Sequence, residues 1–493
     1  MARVLLIVPP YRCWGVQHVG SWPPLPFAYL AGAVLGAGHE ARICDAMNNG
    51  FALQDLRSEI ETYRPDYVVT LDYVPVSGAI STASVPAALS VLAVAKEVDP
   101  TIITIIGGPH PTFLYDELLG CDGSSVDFVL RGESEATLAE LLSAIPQGRV
   151  TEVAGIAYHD GTTSVATPLR AHMTDLECLS PAWHLLDWDL YGYNVDPRGR
   201  MASVLTSRGC TMTCSFCSHT AFWRGDWRGR DPGKVVDEIR RLVEAYAVEL
   251  VTLVDPYPTN DQERWERQLD LLIEADLGVR VLMETRAEDI ARDERLLPKY
   301  REAGIIHVYL GVESGSQDTL ARVNKNTDAD LNARAIDLLR EHEIISEASF
   351  MIGFPHETRE SAERTAAQAV EMNPDIAVFP VVTPMPFTPL YHEMADRVRV
   401  FDYSRYNLTT PIVEPFAMSL EDVSRAMAAC YLTFYRHKIA EVAKLDDGFK
   451  RRYLMSAFEE MMRERGDCFD FLGTMPQGMR GVDDSASNGW GLK

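Results

Sequence analysis

The sequence predicts an α/β fold in which an N-terminal doubly wound, Rossmann-like parallel sheet precedes a partial (β/α)6 barrel and a helical C-terminal region. Strand and helix patterns alternate through residues 1–145 and again through residues 201–391, as they do in parallel sheets with crossover helices. The strand candidates are short, continuous apolar runs, which is typical of parallel strands covered on both faces. The length of 493 residues allows several domains of ordinary size.

The N-terminal domain, residues 1–145, is predicted from alternating strands and helices. The strands fall at 4–8, 41–44, 67–71, 102–106 and 128–130, and the helices at 23–38, 53–63, 83–98 and 134–144. Sheets of this kind bind ligands at the carboxyl ends of their strands. The loops at that edge are therefore the places to search for a site.

The rest of the chain is divided by the same patterns. Residues 146–200 are predicted to be a connector with a hairpin strand at 155–158, and residues 201–391 form the barrel, with strands at 203–206, 249–254, 280–284, 307–312, 348–352 and 376–382. Residues 392–475 are predicted to be helical and to cap the barrel mouth, and residues 476–493 to be a disordered tail. In barrels of this kind the chemistry lies at the carboxyl ends of the strands.

Three cysteines, Cys210, Cys214 and Cys217, follow a C-x3-C-x2-C spacing on one predicted loop. An iron–sulfur cube takes four thiolates when the protein saturates it, so three leave one iron open to another ligand. Two alternatives stay open on the residues alone. The thiols could be unrelated core residues, or a zinc ion could use His219 as its fourth ligand.

The cysteine motif resembles that of the radical S-adenosylmethionine (SAM) superfamily. The resemblance implies a 4Fe-4S cluster on the three cysteines, SAM bound at the open iron, and reductive cleavage of SAM to a 5′-deoxyadenosyl radical. Asp255 resembles the family position that receives the amino group of SAM. Each strand-end residue could instead be a solvated charge or a helix cap, but their recurrence at successive strand ends favours a site. The candidate residues for binding SAM are Phe216, Asp255, Glu284, Arg286, Glu313, Gly353 and Pro355.

Small residues follow the strands of the N-terminal sheet, where they could simply turn the chain or let a flat ring approach the backbone. The segment 45–50 resembles the Asp-x-His-x-x-Gly loop of cobalamin-binding domains, with Met47 at the position of the cobalt-ligating His. The resemblance implies cobalamin as a cofactor, and Met47 predicts no protein nitrogen on the lower face of cobalt. The candidate cofactor-binding residues at this edge are Asp45, Met47, Gly50, Ser77, Gly107, Gly108 and Glu133.

Together the two motif sets resemble the cobalamin-binding radical SAM enzymes. Further phrases, including those at 222–224, 384–390 and 400–403, are similar to the anaerobic magnesium-protoporphyrin monomethyl ester oxidative cyclase subgroup. The resemblance implies functionalisation of an unactivated carbon of a small-molecule substrate, with an external one-electron reductant of the flavodoxin or ferredoxin class. Methyl transfer is the leading expectation because most of the wider class methylates. Oxidative cyclisation or hydroxylation is the alternative, and a non-catalytic cobalamin sensor is a further one.

The composition bounds the partners and the compartment. The chain carries 46 basic and 71 acidic side chains, for a formal net charge of −25, and so acidic a surface repels nucleic acid. No signal peptide and no transmembrane segment are predicted. Apart from the motif, the cysteines are scattered, as is usual in a reducing compartment. We therefore expect a cytoplasmic enzyme.

Overall fold

The computed structural model describes residues 1–12, 19–75, 78–120, 124–178 and 180–463. The strands are β1 (Arg3–Val8), β2 (Gly20–Ser21), β3 (Glu40–Asp45), β4 (Tyr67–Leu71), β5 (Ile103–Gly107), β6 (Phe128–Leu130), β7 (Ile156–His159), β8 (Ser164–Ala166), β9 (Gly192–Tyr193), β10 (Gly199–Val204), β11 (Ser207–Gly209), β12 (Trp227–Gly229), β13 (Leu250–Leu253), β14 (Arg280–Thr285), β15 (Ile305–Glu313), β16 (Ile345–Phe350) and β17 (Ile376–Val378).

The helices are α1 (Leu25–Gly36), α2 (Ala46–Asn49), α3 (Leu53–Tyr63), α4 (Val85–Val98), α5 (Pro109–Phe113), α6 (Tyr115–Leu119), α7 (Glu135–Ala144), α8 (Ser218–Trp223), α9 (Pro232–Tyr246), α10 (Gln262–Ala275), α11 (Ala287–Arg292), α12 (Leu297–Glu302), α13 (Gln317–Arg322), α14 (Ala329–Glu341), α15 (Arg359–Met372), α16 (Pro389–Met394), α17 (Leu420–Val442) and α18 (Phe449–Arg463). None of these helices combines the length and the apolarity needed to cross a bilayer, within the part of the chain that the structure describes.

The N-terminal sheet has the strand order β3-β1-β4-β5-β6-β7-β8. Its first five strands are parallel, and the hairpin β7–β8 is added antiparallel at one edge. The chain order of the parallel strands reverses between β1 and β4, and such a switch point leaves a crevice at the carboxyl ends. The predicted doubly wound sheet is confirmed, and it runs on to Ala166, past the predicted domain limit at residue 145.

The second sheet has the order β17-β16-β15-β14-β13-β10-β9-β2. The strands from β10 and β13 through β17 are parallel and stand side by side in chain order, whereas β9 and β2 are antiparallel additions. Sequential parallel order with helical crossovers is the arrangement of an open barrel. The predicted partial barrel of six strands is therefore confirmed.

Helix α1 connects the two sheets by packing against both. Its residues Leu25 and Tyr29 belong to the core of the barrel, whereas Phe27 and Leu30 belong to the core of the N-terminal sheet. A helix that is apolar on all sides is a buried helix, and the sequence of α1 is of this kind. Just before α1, Trp22 is 3% exposed and donates a hydrogen bond from Nε1 to Thr252 Oγ1 at 3.2 Å.

The C-terminal helices correct one expectation. Helix α18 buries Tyr453 and Leu454 against residues at the amino ends of barrel strands, such as Leu250 and Ile345. The prediction that this region caps the barrel mouth is therefore wrong for α18, which closes the opposite end. The reason is that the barrel interior is apolar at its amino end and needs a cover there. The predicted tail at 476–493 lies outside the described residues.

Candidate active site between the two sheets

A cavity of about 230 Å³ lies between the carboxyl edges of the two sheets. The N-terminal sheet contributes Leu71, Asp72 and Gly108 to its wall, and the barrel contributes Leu205 and Val254. Helix α8, directly after the last cysteine of the motif, adds further aromatic lining. The cavity is mainly apolar, as ligand sites are. Of the predicted cofactor-binding residues, Gly108 and Glu133 line it.

The cysteine loop begins in a small antiparallel hairpin of β11 and β12. Gly209, the last residue of β11, has φ +96°, and a Cβ atom there would collide with the backbone carbonyl of Asp226. Farther along the loop, Ser215 N–H donates to the Val323 carbonyl at 3.0 Å, and Leu390 N–H donates to the Ser215 carbonyl at 3.0 Å. The loop is thus fixed at its start by a glycine and at its centre by two barrel segments.

The three thiols of the motif are neighbours. Burial, together with Cys214 and Cys210, raises the pKa of Cys217 to about 12. A single zinc ion with Zn–S bonds near 2.3 Å would need its sulfur ligands within about 4 Å of one another. Among the described residues, no three His, Cys, Asp or Glu side chains are grouped tightly enough to hold one metal ion. The assignment of the three thiols as ligands of a 4Fe-4S cluster stays a prediction.

Asp255 follows β13 and holds the turn that leads into β11. Its carboxylate accepts hydrogen bonds from Thr206 N–H at 2.8 Å, from Ser207 Oγ at 2.7 Å and from Ser207 N–H. The side chain is 0% exposed. These bonds direct the carboxylate at the turn and help to position the cysteine loop. Contact between Asp255 and the amino group of SAM stays a prediction.

Glu133 lines the cavity and is hydrogen-bonded within the protein, and its predicted contact with a cofactor stays a prediction. It accepts from Arg208 at 3.1 Å, from Arg228 at 2.9 Å and from Met173 N–H at 2.7 Å. Burial alone would raise the pKa of Glu133, but Arg228 and Arg208 hold it below its ordinary value. Glu135 accepts a second bond from Arg208 at 2.5 Å. We call these four side chains, Glu133, Glu135, Arg208 and Arg228, the hairpin clamp.

The hairpin clamp ties the cysteine loop to the N-terminal sheet. Arg208 lies on β11, two residues before Cys210, and Arg228 lies on the paired strand β12. Both guanidinium groups bind Glu133, which lies two residues before helix α7. Arg208 also stacks over the ring of Tyr29 in α1, with 5.3 Å between the guanidinium carbon and the ring centroid. Sequence reasoning missed this network because its partners are 75 residues apart.

The ends of β14 and β15 hold further predicted residues. Arg286 donates to the Lys325 carbonyl at 2.7 Å and pairs with Glu288, so it supports a loop and has little freedom to bind a carboxylate of SAM. Glu313 binds Lys325 Nζ at 2.9 Å. Glu284 makes no hydrogen bond to the part of the chain that the structure describes, and burial raises its pKa to about 8. Of these residues, Glu284 has the carboxyl group most available to a ligand.

The loop after β16 forms a second cavity of about 380 Å³, lined by Ser314, Phe354 and Pro355. Gly353 has φ +98°, and its N–H donates to the carboxylate of Glu357. Burial raises the pKa of Glu357 to about 7. The glycine and the carboxylate fix a loop that the sequence predicts to bind SAM. Binding of SAM by Gly353 and Pro355 stays a prediction.

At the edge of the N-terminal sheet, Asp45 caps α2 by accepting from Asn48 N–H at 3.0 Å and also binds Tyr191 OH at 3.1 Å. Met47 is 1% exposed and lies in the core, and its carbonyl accepts two bonds from Arg12. Gly50 ends α2 with φ +68°. This loop presents no imidazole to the cavity. The predicted residue Ser77 lies outside the described residues, and the partly buried Phe216 packs against the core of the N-terminal sheet.

Helix α8 contributes two candidate functional residues that are not part of the cysteine motif. His219 and Trp223 line the cavity from α8. The Trp223 Nε1–H donates to His219 Nδ1 at 3.2 Å, so the remaining imidazole proton is on Nε2. A neutral His219 engaged in this way is a poor candidate for a zinc ligand through Nδ1. The sequence offered one signal, namely the position of both residues directly after the cysteines.

Comparisons with known proteins agree with this architecture. The model of the Radical SAM superfamily matches residues 204–369, and that of the B12 binding domain matches residues 12–142. The anaerobic magnesium-protoporphyrin IX monomethyl ester cyclase of Rubrivivax gelatinosus is 40% identical over 469 residues, which are 94% of this chain and 82% of that protein. The hopanoid C-3 methylase of Methylococcus capsulatus is 25% identical over 427 residues, 86% of this chain and 78% of that protein.

Two solved structures share the fold. The radical SAM methyltransferase TsrM from Kitasatospora setae, with cobalamin and a 4Fe-4S cluster bound, superimposes with a TM-score of 0.65 at 18% identity, over 80% of this chain and 78% of that one. The cobalamin-dependent radical SAM enzyme OxsB, with aqua-cobalamin and SAM bound, superimposes with a TM-score of 0.69 at 14% identity, over 93% of this chain and 71% of that one. At these identities the likeness establishes the fold.

The paired sheets, the cavity between them and the three-cysteine loop define a radical SAM enzyme with a B12-binding domain. The chain belongs to the cobalamin-dependent radical SAM family, in the group that contains the anaerobic magnesium-protoporphyrin IX monomethyl ester cyclases. The cofactors of this family are a 4Fe-4S cluster, SAM and cobalamin. The residues present fit them, because three neighbouring thiols would leave one iron of a cluster open to SAM and the switch-point crevice adjoins the cavity.

Proposed function

We propose that this enzyme functionalises an unactivated carbon of a small molecule held in the cavity between the sheets, and that it does so by methyl transfer. The observation that carries the proposal is the cavity itself, since its walls come from the carboxyl edges of both cofactor-binding sheets. A substrate there is within reach of both halves of the protein. The methylases among the relatives, such as the hopanoid C-3 methylase, support methyl transfer.

In this proposal Cys210, Cys214 and Cys217 hold the cluster, the barrel strand ends hold SAM, and the edge of the N-terminal sheet holds cobalamin. When bound, these groups supply one-electron chemistry at an otherwise unreactive carbon. The protein supplies position and exclusion of water. The hairpin clamp and Asp255 fix the loop that carries the thiols, and the apolar cavity wall keeps solvent from a reactive intermediate.

The wall of the cavity also suggests how a substrate is oriented. The His219 ring offers an Nε2–H donor beside the aromatic faces of Phe222 and Trp223. An apolar, planar substrate with one acceptor oxygen suits this combination, because the rings cover its faces and the imidazole fixes one end. His219→Phe should therefore raise KM far more than it lowers kcat.

A second candidate is oxidative cyclisation or hydroxylation with oxygen from water. One specific observation favours it, namely the 40% identity over 94% of this chain to a magnesium-protoporphyrin IX monomethyl ester cyclase. Such an enzyme would need the same cavity and the same clamp, and it differs in the group that is added to the substrate. Geometry alone does not separate the two candidates, so product analysis has to.

The first experiment is anaerobic reconstitution of the full chain with iron and sulfide, followed by dithionite and SAM. Release of 5′-deoxyadenosine supports radical chemistry. If a protein with a full cluster released none, the alternative of a non-catalytic cobalamin sensor would be favoured. The second experiment adds methyl-labelled SAM and 18O-labelled water, with magnesium-protoporphyrin IX monomethyl ester as one substrate and a cellular small-molecule extract as another. Label from the SAM methyl group in a product supports methyl transfer, and 18O in the product supports the cyclase.

We also propose a cytoplasmic enzyme that receives single electrons from a flavodoxin or ferredoxin and binds no nucleic acid. All cysteines in the described part of the chain are free thiols, as is usual in a reducing compartment. The net charge of −25 supports the absence of nucleic-acid binding. Reduction of the reconstituted cluster by purified flavodoxin, followed by electron paramagnetic resonance, tests the choice of donor.

A further inference from the structure

Asp72 directly follows β4 and lines the cavity between the sheets. It is 4% exposed. Its Oδ2 accepts from His110 N–H at 2.7 Å and from Ser81 Oγ at 3.0 Å. Its Oδ1 is buried and has no hydrogen-bond partner among the described residues. A buried carboxyl oxygen without a partner is uncommon in folded proteins and points to a group from outside the chain.

Gly108 makes room for the free oxygen of Asp72. A Cβ atom on Gly108 would collide with Asp72 Oδ1, and the φ of +116° at Gly108 disfavours any side chain. Gly108 also lines the cavity. The sequence suggested that this glycine lets a flat ring approach the backbone. The structure instead places a carboxyl group in the space that the missing side chain leaves.

The position of Asp72 identifies the ligand class. Asp72 ends the strand next to β1, and the order of the sheet reverses between these two strands, so the residue lies at the switch point. This part of the chain matches the B12 binding domain. Burial raises the pKa of Asp72 well above its ordinary value, which favours a neutral acid. A neutral carboxyl group suits an uncharged polar partner, and the corrin ring of cobalamin is bordered by primary amides.

We propose that Asp72 is a positioning residue for cobalamin, with its free Oδ1 hydrogen-bonded to a primary amide on the corrin periphery. His110 and Ser81 hold the other oxygen and so fix the direction of the free one. The inference rests on the cobalamin cofactor of the family. It does not depend on whether the reaction is methyl transfer or cyclisation.

To test the proposal, the full-length variants are titrated with two corrinoids, and binding is monitored by the quenching of tryptophan fluorescence. Hydroxocobalamin carries both the corrin amides and the nucleotide tail, and cobinamide carries the amides without that tail. Asp72→Ala should weaken the binding of both about tenfold, because a hydrogen bond to a desolvated partner is lost. Thr70→Val is the matched control. It removes a buried hydrogen bond of β4, from Thr70 Oγ1 to the Ile7 carbonyl at 2.8 Å, leaves both oxygens of Asp72 and their partners in place, and should keep both dissociation constants within about threefold of the wild type.

Two outcomes would overturn the proposal. If Asp72→Ala weakened only hydroxocobalamin, the residue would bind the nucleotide tail and not the corrin. If neither ligand bound more weakly, Oδ1 would be satisfied by water only. Asp72→Thr serves if the alanine variant does not fold, because its hydroxyl keeps one polar group on the side chain beside His110 N–H while the free carboxyl oxygen is removed. Both readouts are binding constants, so failure here is distinct from failure of the proposed reaction.

Discussion

Replacing Arg208 with methionine tests whether the hairpin clamp couples the two sheets. The side chains of Arg208, Glu133 and Glu135 are 8%, 6% and 10% exposed. Breaking a buried ion pair by removing one partner costs about 3–5 kcal/mol, because the remaining charge is left without compensation. Glu133 keeps Arg228 at 2.9 Å and Met173 N–H at 2.7 Å. Only Glu135 loses its partner. We therefore expect the free energy of unfolding to fall by about 3 kcal/mol, the lower end of that range.

The assay is urea unfolding of the full chain, monitored by tryptophan fluorescence. Arg240→Met is the matched control, because Arg240 pairs with Asp237 on the surface with side-chain exposures of 41% and 55%. Such a pair contributes about 1 kcal/mol or less. Adding Glu135→Gln to Arg208→Met should recover about 1–3 kcal/mol, because the stranded charge is removed. A loss below about 1 kcal/mol in Arg208→Met, or no recovery in the double variant, would refute the clamp.

Iron content gives the second readout for the same variant. Arg208 is two residues before Cys210, so loss of the clamp frees the strand that leads into the cysteine loop. We expect Arg208→Met to take up less iron during anaerobic reconstitution, and Arg240→Met to take up the wild-type amount. Arg208→Lys should fall between them, because a compact ammonium group keeps the charge but lacks the planar fork whose two nitrogens reach Glu133 and Glu135 separately. Equal iron in all variants would show that the clamp stabilises the fold without positioning the loop.

Three further predictions concern single residues of the site. Cys214→Ala should abolish iron uptake and 5′-deoxyadenosine, yet keep hydroxocobalamin affinity within about twofold, and loss of both would contradict separate binding sites. Burial raises the pKa of Glu284 from 4.5 to about 8, so the folded protein keeps a proton that the unfolded chain releases. The contribution of Glu284 to the free energy of unfolding is present below about pH 4.5 and is lost as the pH rises to 8. Urea midpoints of the wild type should therefore fall between pH 5 and pH 9, and Glu284→Gln should make that fall smaller. Gly209→Ala should lower iron uptake several-fold, because its Cβ atom would collide with the Asp226 carbonyl. Gly225→Ala should leave iron uptake unchanged, because Gly225 also has a positive φ but faces open space.

The strand framework was readable from the sequence because parallel strands buried on both faces leave continuous apolar runs. The runs at 67–71 and 128–130 coincide with β4 and β6 to the residue. The six barrel strands were also found, although β16 begins three residues before its predicted start. Extended two-residue additions such as β2 carry no such pattern, so the entry of the N-terminal segment into the barrel sheet was invisible.

The orientation of polar side chains could not be read in the same way. The sequence shows that Asp255 and Glu133 follow strands, but not whether their oxygens face the cavity or the chain. That choice depends on partners far away, such as Thr206 for Asp255 and Arg208 for Glu133. Asp72 shows the converse case. It belongs to no motif, and only its unpartnered oxygen beside Gly108 distinguishes it from an ordinary buried acid.

The shared core of α1 and the hairpin clamp have a consequence for specificity. Since α1 packs into both cores and the clamp joins α7 to β11, the two cofactor-binding sheets face each other across a fixed distance. A close-packed interior of this kind resists small displacements. Differences in substrate among relatives must then come from side chains that line the cavity without holding the sheets together. Phe222 of α8 lines the cavity, whereas Trp223 packs against Arg228 of the clamp. Substitutions of Phe222 should therefore change the substrate while leaving iron uptake intact.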